Sequence, residues 1–387
     1  MQLQFLKEDG TNVVHRNPPS GGSLPTKGAD FGAVPINNIA HSLFSSQELT
    51  LNDNVVCSEP IYGFKSQLQT LFTYSNESKK TWLADLSGWR DDTPGKFEDD
   101  TNAAFEWGSD KQCLNSKVFT VVMFPCLDLF QQDRLLPNMV SIKLNLHRNS
   151  NAFCTMNTKS GRDTKYKITV KKARFHLFRC VLSSEAFMSV ERNLANGGTL
   201  TYPVKSLIIK PSTIAEGLQS KTIDTMFSNQ YIPERLILTF VEQSAFTGNP
   251  QKNPFKFSHF EIAECTIDLL GQTHKQKFEW DGVSKQNTTI VPFQDYIRLL
   301  SQRYPEDSAF GLSKNAYENG NFFICFDLSP AESFRTGTFT GGIKGNIVVN
   351  LTFSNQLTTP IVLLAIGVYD NVFQAGIDRS FTKPFVY

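Results

Sequence analysis

The stretch Tyr231–Leu270, YIPERLILTFVEQSAFTGNPQKNPFKFSHFEIAECTIDLL, limits the fold of this chain more than any other. In its first part Leu236, Leu238 and Phe240 alternate with Ile237, Thr239 and Val241. Both faces are then largely apolar, and such a strand is expected to be buried on both sides. In its last part Ala263, Cys265, Ile267 and Leu269 share one face and Glu264, Thr266 and Asp268 the other, the pattern of a strand with one wet side. Gly248, Pro250 and Pro254 in the intervening loop keep a helix from running through. A doubly buried strand and a half-buried one, joined by a loop too long for a tight hairpin, suit adjacent sheets of a β-sandwich or jelly roll better than a meander.

A chain of 387 residues can bury two cores of ordinary size, so two domains are expected. With 38 Lys and Arg against 37 Asp and Glu, the net charge of +1 gives no global attraction to nucleic acid or to anionic membrane. Phenylalanine is the outlier, 32 residues beside only six methionines, and it favours packed β-structure or subunit contacts over a loose enzyme surface. Composition leaves core and interface equally open for that excess. Seven cysteines, an odd number with no C-x-x-C, fit buried free thiols in a reducing compartment better than disulfides or a zinc site. The best apolar run, IVLLAIGVY at 361–369, is about half what a membrane-spanning helix needs. MQLQFLKEDGT lacks the charge and apolar regions of a secretion signal, so the sequons at Asn76, Asn287 and Asn350 are read as chance matches.

In chain order, residues 2–8 alternate as a strand, and the Pro/Gly/Ser-rich stretch 11–35 reads as an irregular arm. The spacing of Ile61, Phe64, Leu68, Leu71 and Phe72 predicts one amphipathic helix over 60–74. The acidic, turn-rich segment 84–110 lacks the ligand spacing of a calcium loop and is expected to be a solvated surface loop. Strands follow at 117–124 and 140–146, and the polar stretch after 148 is the best internal boundary. The resulting division is an N-terminal jelly roll at 1–150, a linker at 151–165 and a C-terminal jelly roll at 166–387.

The second half opens with YKITVKKARFHLFRCVL, expected to be one long strand crossing between barrels. Its basic residues divide between the two faces, which favours exposed basic ends over a nucleic-acid contact. A helix from Ser183 ends at Gly197, a second amphipathic helix covers 292–304, and NFFICFDL, GNIVVNLTF and PIVLLAIGVYDN are strong strands. Each half thus carries one apolar-faced helix and then a clean alternating strand, an echo that suggests duplication. The aromatic tail, Phe373, Phe381, Phe385 and Tyr387, is the candidate subunit interface, with docking on its own barrel as the alternative.

Chemistry is hard to find. The histidines are scattered, and H-E-x-x-H, G-x-S-x-G and the phosphate-binding loop are all absent. His259 lies near Glu261 and Glu264, but strand alternation would send the two carboxylates to opposite faces. No catalytic, cofactor or metal residue is therefore expected.

Several blocks in one order carry a resemblance. IPERLILTFVEQSAFTGNPQKNPFKFSHFEI, PINNIAHSLFSSQELTLNDNVV, YGFKSQLQTLFTYSNESKKTWL and NGNFFICFDLSP with GNIVVNLTFSNQLTTPIVLLAIGVYDN resemble stretches of the capsid proteins of Polinton/Maverick elements and their adintovirus relatives. The blocks span about 35 to 373. The resemblance implies a mainly β fold of two tandem eight-stranded jelly-roll barrels with a few short helices, a non-enzymatic double jelly-roll major capsid protein that forms hexon-like trimers in an icosahedral virion. It further implies a penton or vertex protein and minor capsid proteins as partners, with production in the host cytoplasm and no sequence-specific nucleic-acid binding. A minor or vertex capsid protein and a jelly-roll carbohydrate-binding protein are the alternatives. Two departures stand out: family members have a further strand region upstream of the one resembling LQFLKEDGT, and Gln47-Glu48 replaces an apolar pair. The first departure implies a first barrel without its opening strand, and both bear on that barrel's completeness.

Overall fold

The computed structural model describes residues 1–11, 34–99, 101–104, 116–157, 165–278, 289–300, 312–329 and 343–383, with residues 228, 229 and 300 described in their backbone alone. In the first half the strands are β1 (Gln2–Lys7), β2 (Val34–Pro35), β3 (Phe44–Leu51), β4 (Asn54–Glu59), β5 (Val118–Thr120), β6 (Ile142–Arg148), β7 (Thr155–Met156) and β8 (Tyr166–Lys172). They pair in the orders β5-β1-β8, β4-β3-β6 and β2-β7. In the second half the strands are β9 (Leu200–Ile214), β10 (Ser220–Tyr231), β11 (Arg235–Glu242), β12 (Ile262–Leu269), β13 (Gln272–Lys277), β14 (Ile324–Asp327), β15 (Lys344–Phe353), β16 (Ile361–Ala375) and β17 (Phe381–Thr382).

The second half is a two-sheet sandwich. One sheet runs β10-β15-β12-β13; the other runs β14-β11-β16-β17, with β9 on the opposite edge of β16. β11 and β12 therefore lie in different sheets, as the buried and half-buried patterns of the two strands require. Leu236 through Val241 are all buried, whereas in β12 only Ile262, Cys265, Ile267 and Leu269 are. β15 turns Ile347, Val349, Leu351 and Phe353 inward, and the Phe353 ring meets Phe240 of the facing sheet edge-on at 5.9 Å. β16 pairs with β9 over its whole length and with β11 over Ile361–Val368, so backbone partners flank it on both sides. That position explains an unbroken run of buried residues from Ile361 to Tyr369.

Turns fall where the sequence places them. Asn52 and Asp53 both have positive φ, 47° and 66°, the geometry a two-residue hairpin between β3 and β4 needs. The strand β13, polar along its length, lies at a sheet edge beside β12 and was not legible as a strand. The loop after β11 begins with a short helix, Gln243–Thr247, which stops at Gly248 with φ 100°. A side chain there would meet Phe153 N and Ser150 Oγ at 3.1 Å, so a glycine is needed where the two halves touch.

Three expectations are corrected. The boundary expected at 151–165 does not separate the halves, because β8 begins at Tyr166 and pairs with β1 from Gln2 to Lys7. The long strand expected from 166 to 182 stops at Lys172, and the chain then runs without regular structure to Ser183. The helix Tyr62–Thr73 is not amphipathic in use: its residues from Tyr62 to Thr70, polar ones included, are buried on every side.

That helix is buried all round because it is wedged between the halves. Phe64 stands edge-on to Phe153 of the first half at 5.7 Å and contacts Phe246 at 5.1 Å and Phe255 at 5.7 Å in the second. Phe72 packs edge-on against Phe323 at 5.1 Å. The two expected cores are accordingly one continuous apolar body extending from Leu3 and Phe5 to Leu363 and Ile366. A smaller second core gathers Leu49, Leu51, Leu127, Tyr202 and Phe373.

Truncating the wedge tests this arrangement. Phe64→Ala should cost about 3–5 kcal/mol, as buried phenylalanines do. Val55→Ala, at a position 60% exposed, should stay within about 0.5 kcal/mol. Denaturant midpoints of the two variants measure the difference, and equal midpoints would refute the wedge.

Candidate subunit interface

Two of the four tail residues expected to form a docking surface are turned inward. Phe373 is 0% and Phe381 7% exposed within the single chain, so neither is available to a neighbour. The reason is topological. β16 continues past the sandwich to Ala375, still paired with β9 back to Leu200, and its end packs into the second core with Leu49 and Leu51 of β3. Tyr202 donates its hydroxyl to Leu135 O at 3.1 Å and packs on the Phe381 ring at 5.7 Å. Asn52 of the β3–β4 turn donates to Arg379 O at 3.2 Å. Phe385 and Tyr387 lie outside the described residues.

A buried polar network crosses the same junction. Lys65, on the wedged helix and 2% exposed, donates to Glu59 and, at 2.9 Å, to Asp128 Oδ1. Asp128 Oδ2 accepts from Ser206 Oγ at 2.6 Å, and Asn371 Nδ2 donates to Ser206 Oγ at 3.3 Å. Three residues of the first half are thereby tied to β9 and β16 of the second. Burial alone would lower the Lys65 pKa, but the charges of Asp128 and Glu59 outweigh it and hold the ammonium ionised. Glu59, sharing that single cation with Asp128, is pushed up to about 7, chiefly by burial. Farther along β9, Lys205 pairs with Glu234 at 2.7 Å and with Asp370. Glu234 is also raised to about 7, by burial first and then by the neighbouring Asp370.

The remaining sequence candidates are structural. His259 Nδ1 accepts the Glu261 N–H at 3.0 Å, and Glu261 takes a hydrogen bond from Asn355 Nδ2 at 3.1 Å. Strand alternation does not govern Glu261, because Phe260 and Glu261 form a turn with φ of 45° and 53° before β12 begins. Glu264 pairs with Lys275 across the β12–β13 ladder at 2.6 Å. In the acidic segment the solvated loop is corrected in part. Trp89 and Phe97 are buried, and Asp92 accepts from Asn102 Nδ2 at 2.7 Å and Asn37 Nδ2 at 3.0 Å, its pKa raised by burial to about 6. Among the described residues no group of His, Cys, Asp and Glu is arranged to hold a metal ion. Among them, too, no helix is long and apolar enough to cross a membrane. Cys57, Cys126, Cys154, Cys265 and Cys325 are buried free thiols, whereas Cys180 is exposed.

The apolar surface that a neighbour could cover lies elsewhere. Every residue from Val170 to Ser189 is exposed, including Phe178 at 96% and Val181 at 99%. The exposed phenylalanines among the described residues are Phe124, Phe175, Phe178 and Phe187. The Phe excess is thus mostly core, and what remains outside is concentrated in the segment joining the halves. Sequence reasoning missed it by treating 166–182 as a paired strand; the missed signal was Phe, Leu and Val crowding among unpaired basic residues.

Comparison with known proteins defines the fold. The chain aligns over 99% of its length with a chain of the virophage Sputnik structure, covering 80% of that chain at 15% identity and a TM-score of 0.55. It aligns over its full length with the mavirus major capsid protein, covering 83% of that chain at 11% identity and a TM-score of 0.54. The chain has the double jelly-roll fold, mainly β with a few short helices. In sequence it is 26% identical over 357 residues to an uncharacterized protein of Caenorhabditis elegans, across 90% of this chain and 81% of that one. No family model matches.

The raised carboxyls set a pH dependence. Glu59 and Glu234 titrate near 7 in the folded chain against about 4.5 when unfolded, so between these values the folded state holds more protons. Their stabilising contribution is complete below the unfolded value and is lost as pH rises through about 7. The wild-type denaturant midpoint relative to that of Glu59→Gln should therefore fall between about pH 5 and pH 8, a comparison that cancels the opposite trend of His41, whose pKa burial lowers to about 4. A difference that rises across this window would contradict the burial of Glu59.

Proposed function

We propose that this chain is a major capsid protein that builds an icosahedral shell by self-association as trimers of pseudo-hexagonal outline. The supporting observation is the double jelly-roll fold over essentially the whole chain, which aligns with most of the mavirus major capsid protein. Two sandwiches locked together by a shared core and a buried ion network form a rigid block, which a closed lattice of repeated contacts requires. The blocks resembling Polinton/Maverick and adintovirus capsid proteins support a place in that lineage, and a relative in a nematode fits a capsid gene carried by an integrated element. Its place is then the virion shell, beside a penton or vertex protein and minor capsid proteins. Its role is structural, and the His259 region and the acidic segment serve packing, not catalysis.

Light scattering on the purified chain should give about three times the single-chain mass, and electron microscopy of concentrated samples should show hexagonal particles or shells. A monomer that binds glycans would overturn the proposal in favour of a carbohydrate-binding jelly roll.

A further inference from the structure

Among the described residues, the segment between β8 and the helix Ser184–Ala195 is an arm anchored at both ends and left largely uncovered between them. At its start β8 is held by pairing with β1, and the Phe175 ring lies 6.3 Å from Phe130. At its end Ser183 caps the helix by accepting the Ala186 N–H at 3.3 Å, and Arg379 clasps Glu191 through both carboxylate oxygens at 2.6 and 2.8 Å. Between these anchors the chain has no regular structure, and Phe175, Leu177, Phe178 and Val181 are exposed, followed by Phe187 and Met188 on the exposed helix. At the ~150–250 Å² that a large aromatic side chain can bury, these residues offer several hundred Å². That is the order of the ~800 Å² one partner contributes to a standard interface, and it exceeds what monomers usually leave uncovered.

Charge narrows the occupant. From Lys171 to Met188 the exposed chain carries four Lys or Arg against Glu185 alone, a net +3, so in a chain of net charge +1 everything else carries −2. A basic, apolar arm on a body of opposite net sign complements another copy of that body. Contact between an arm and a different surface of the next copy is heterologous, the kind that closes into a ring. We infer that the arm from Lys171 to Met188 is the element by which one copy of this chain docks onto the next, an assignment that rests on the self-assembly proposed above.

The test uses the full chain. Phe178→Asp with Val181→Asp changes two side chains that touch nearly nothing in the single chain, so its melting temperature should match the wild type while its mass by light scattering falls to one chain. Cys180, exposed within the arm, supplies a second measurement on the unaltered protein. Its alkylation by a maleimide, mapped by peptide mass, should slow at least tenfold in the assembled protein relative to dilute, dissociated chain. An assembled double variant, or Cys180 reacting equally fast in both states, would sink the arm assignment and leave the capsid reading standing. A wild-type chain that is monomeric at every concentration would sink both. A monomer that instead pellets with phosphatidylserine vesicles, or shifts on duplex DNA in a salt-dependent way, would hand the arm to those partners.

Discussion

The burial of the helix Tyr62–Thr73 between the two halves is the constraint on which the rest of the molecule depends. A helix with a single apolar stripe would lie on one sandwich and leave the other to pack alone. Here Phe64 and Phe72 reach into the second half while Leu68 and Tyr62 fill the first, so removing the helix would open both. The polar residues carried inside with it must then be satisfied internally. Ser66 and Thr70 bond back to helix carbonyls, and Lys65 finds two carboxylates.

That ionic cluster is a costly way to hold two sandwiches. Taking a lysine and two carboxylates out of water carries a penalty that an apolar contact of equal volume would avoid. What the cluster adds is direction: the chain of bonds from Lys65 through Asp128 and Ser206 to Asn371 ties the first half to particular residues of β9 and β16. In the shell proposed above, where identical contacts repeat, a fixed orientation counts for more than a few additional units of stability. The same strands, extended past the sandwich, draw Phe373 and Phe381 inward and leave the segment after β8 as the exposed apolar arm.

Much of this was legible from residues alone where one periodicity governed. The doubly buried β11, the one-sided β12 and the inward set of β15 follow from alternation, and the cap at Ser183 and the turn at Asn52-Asp53 follow from local chemistry. The failures share a cause. Lys65 and Gln69 read as a wet helix face because Asp128 and Gln131, which they bond, are distant in sequence, and β8 was assigned to the wrong half because its pairing with β1 spans most of the first half. The arm was read as strand because β-branched and aromatic residues suit a strand when a neighbour supplies hydrogen bonds, and among the described residues none does.

The sequence by itself determined the two-sandwich architecture, since the faces of each strand are written in its own alternation and nothing distant can alter which side chains share a face. Only the tertiary structure decided how the sandwiches are joined, which aromatic residues are spent inside and which remain outside. Those outcomes depend on strand partners and charge partners far apart along the chain, and local spacing does not encode them.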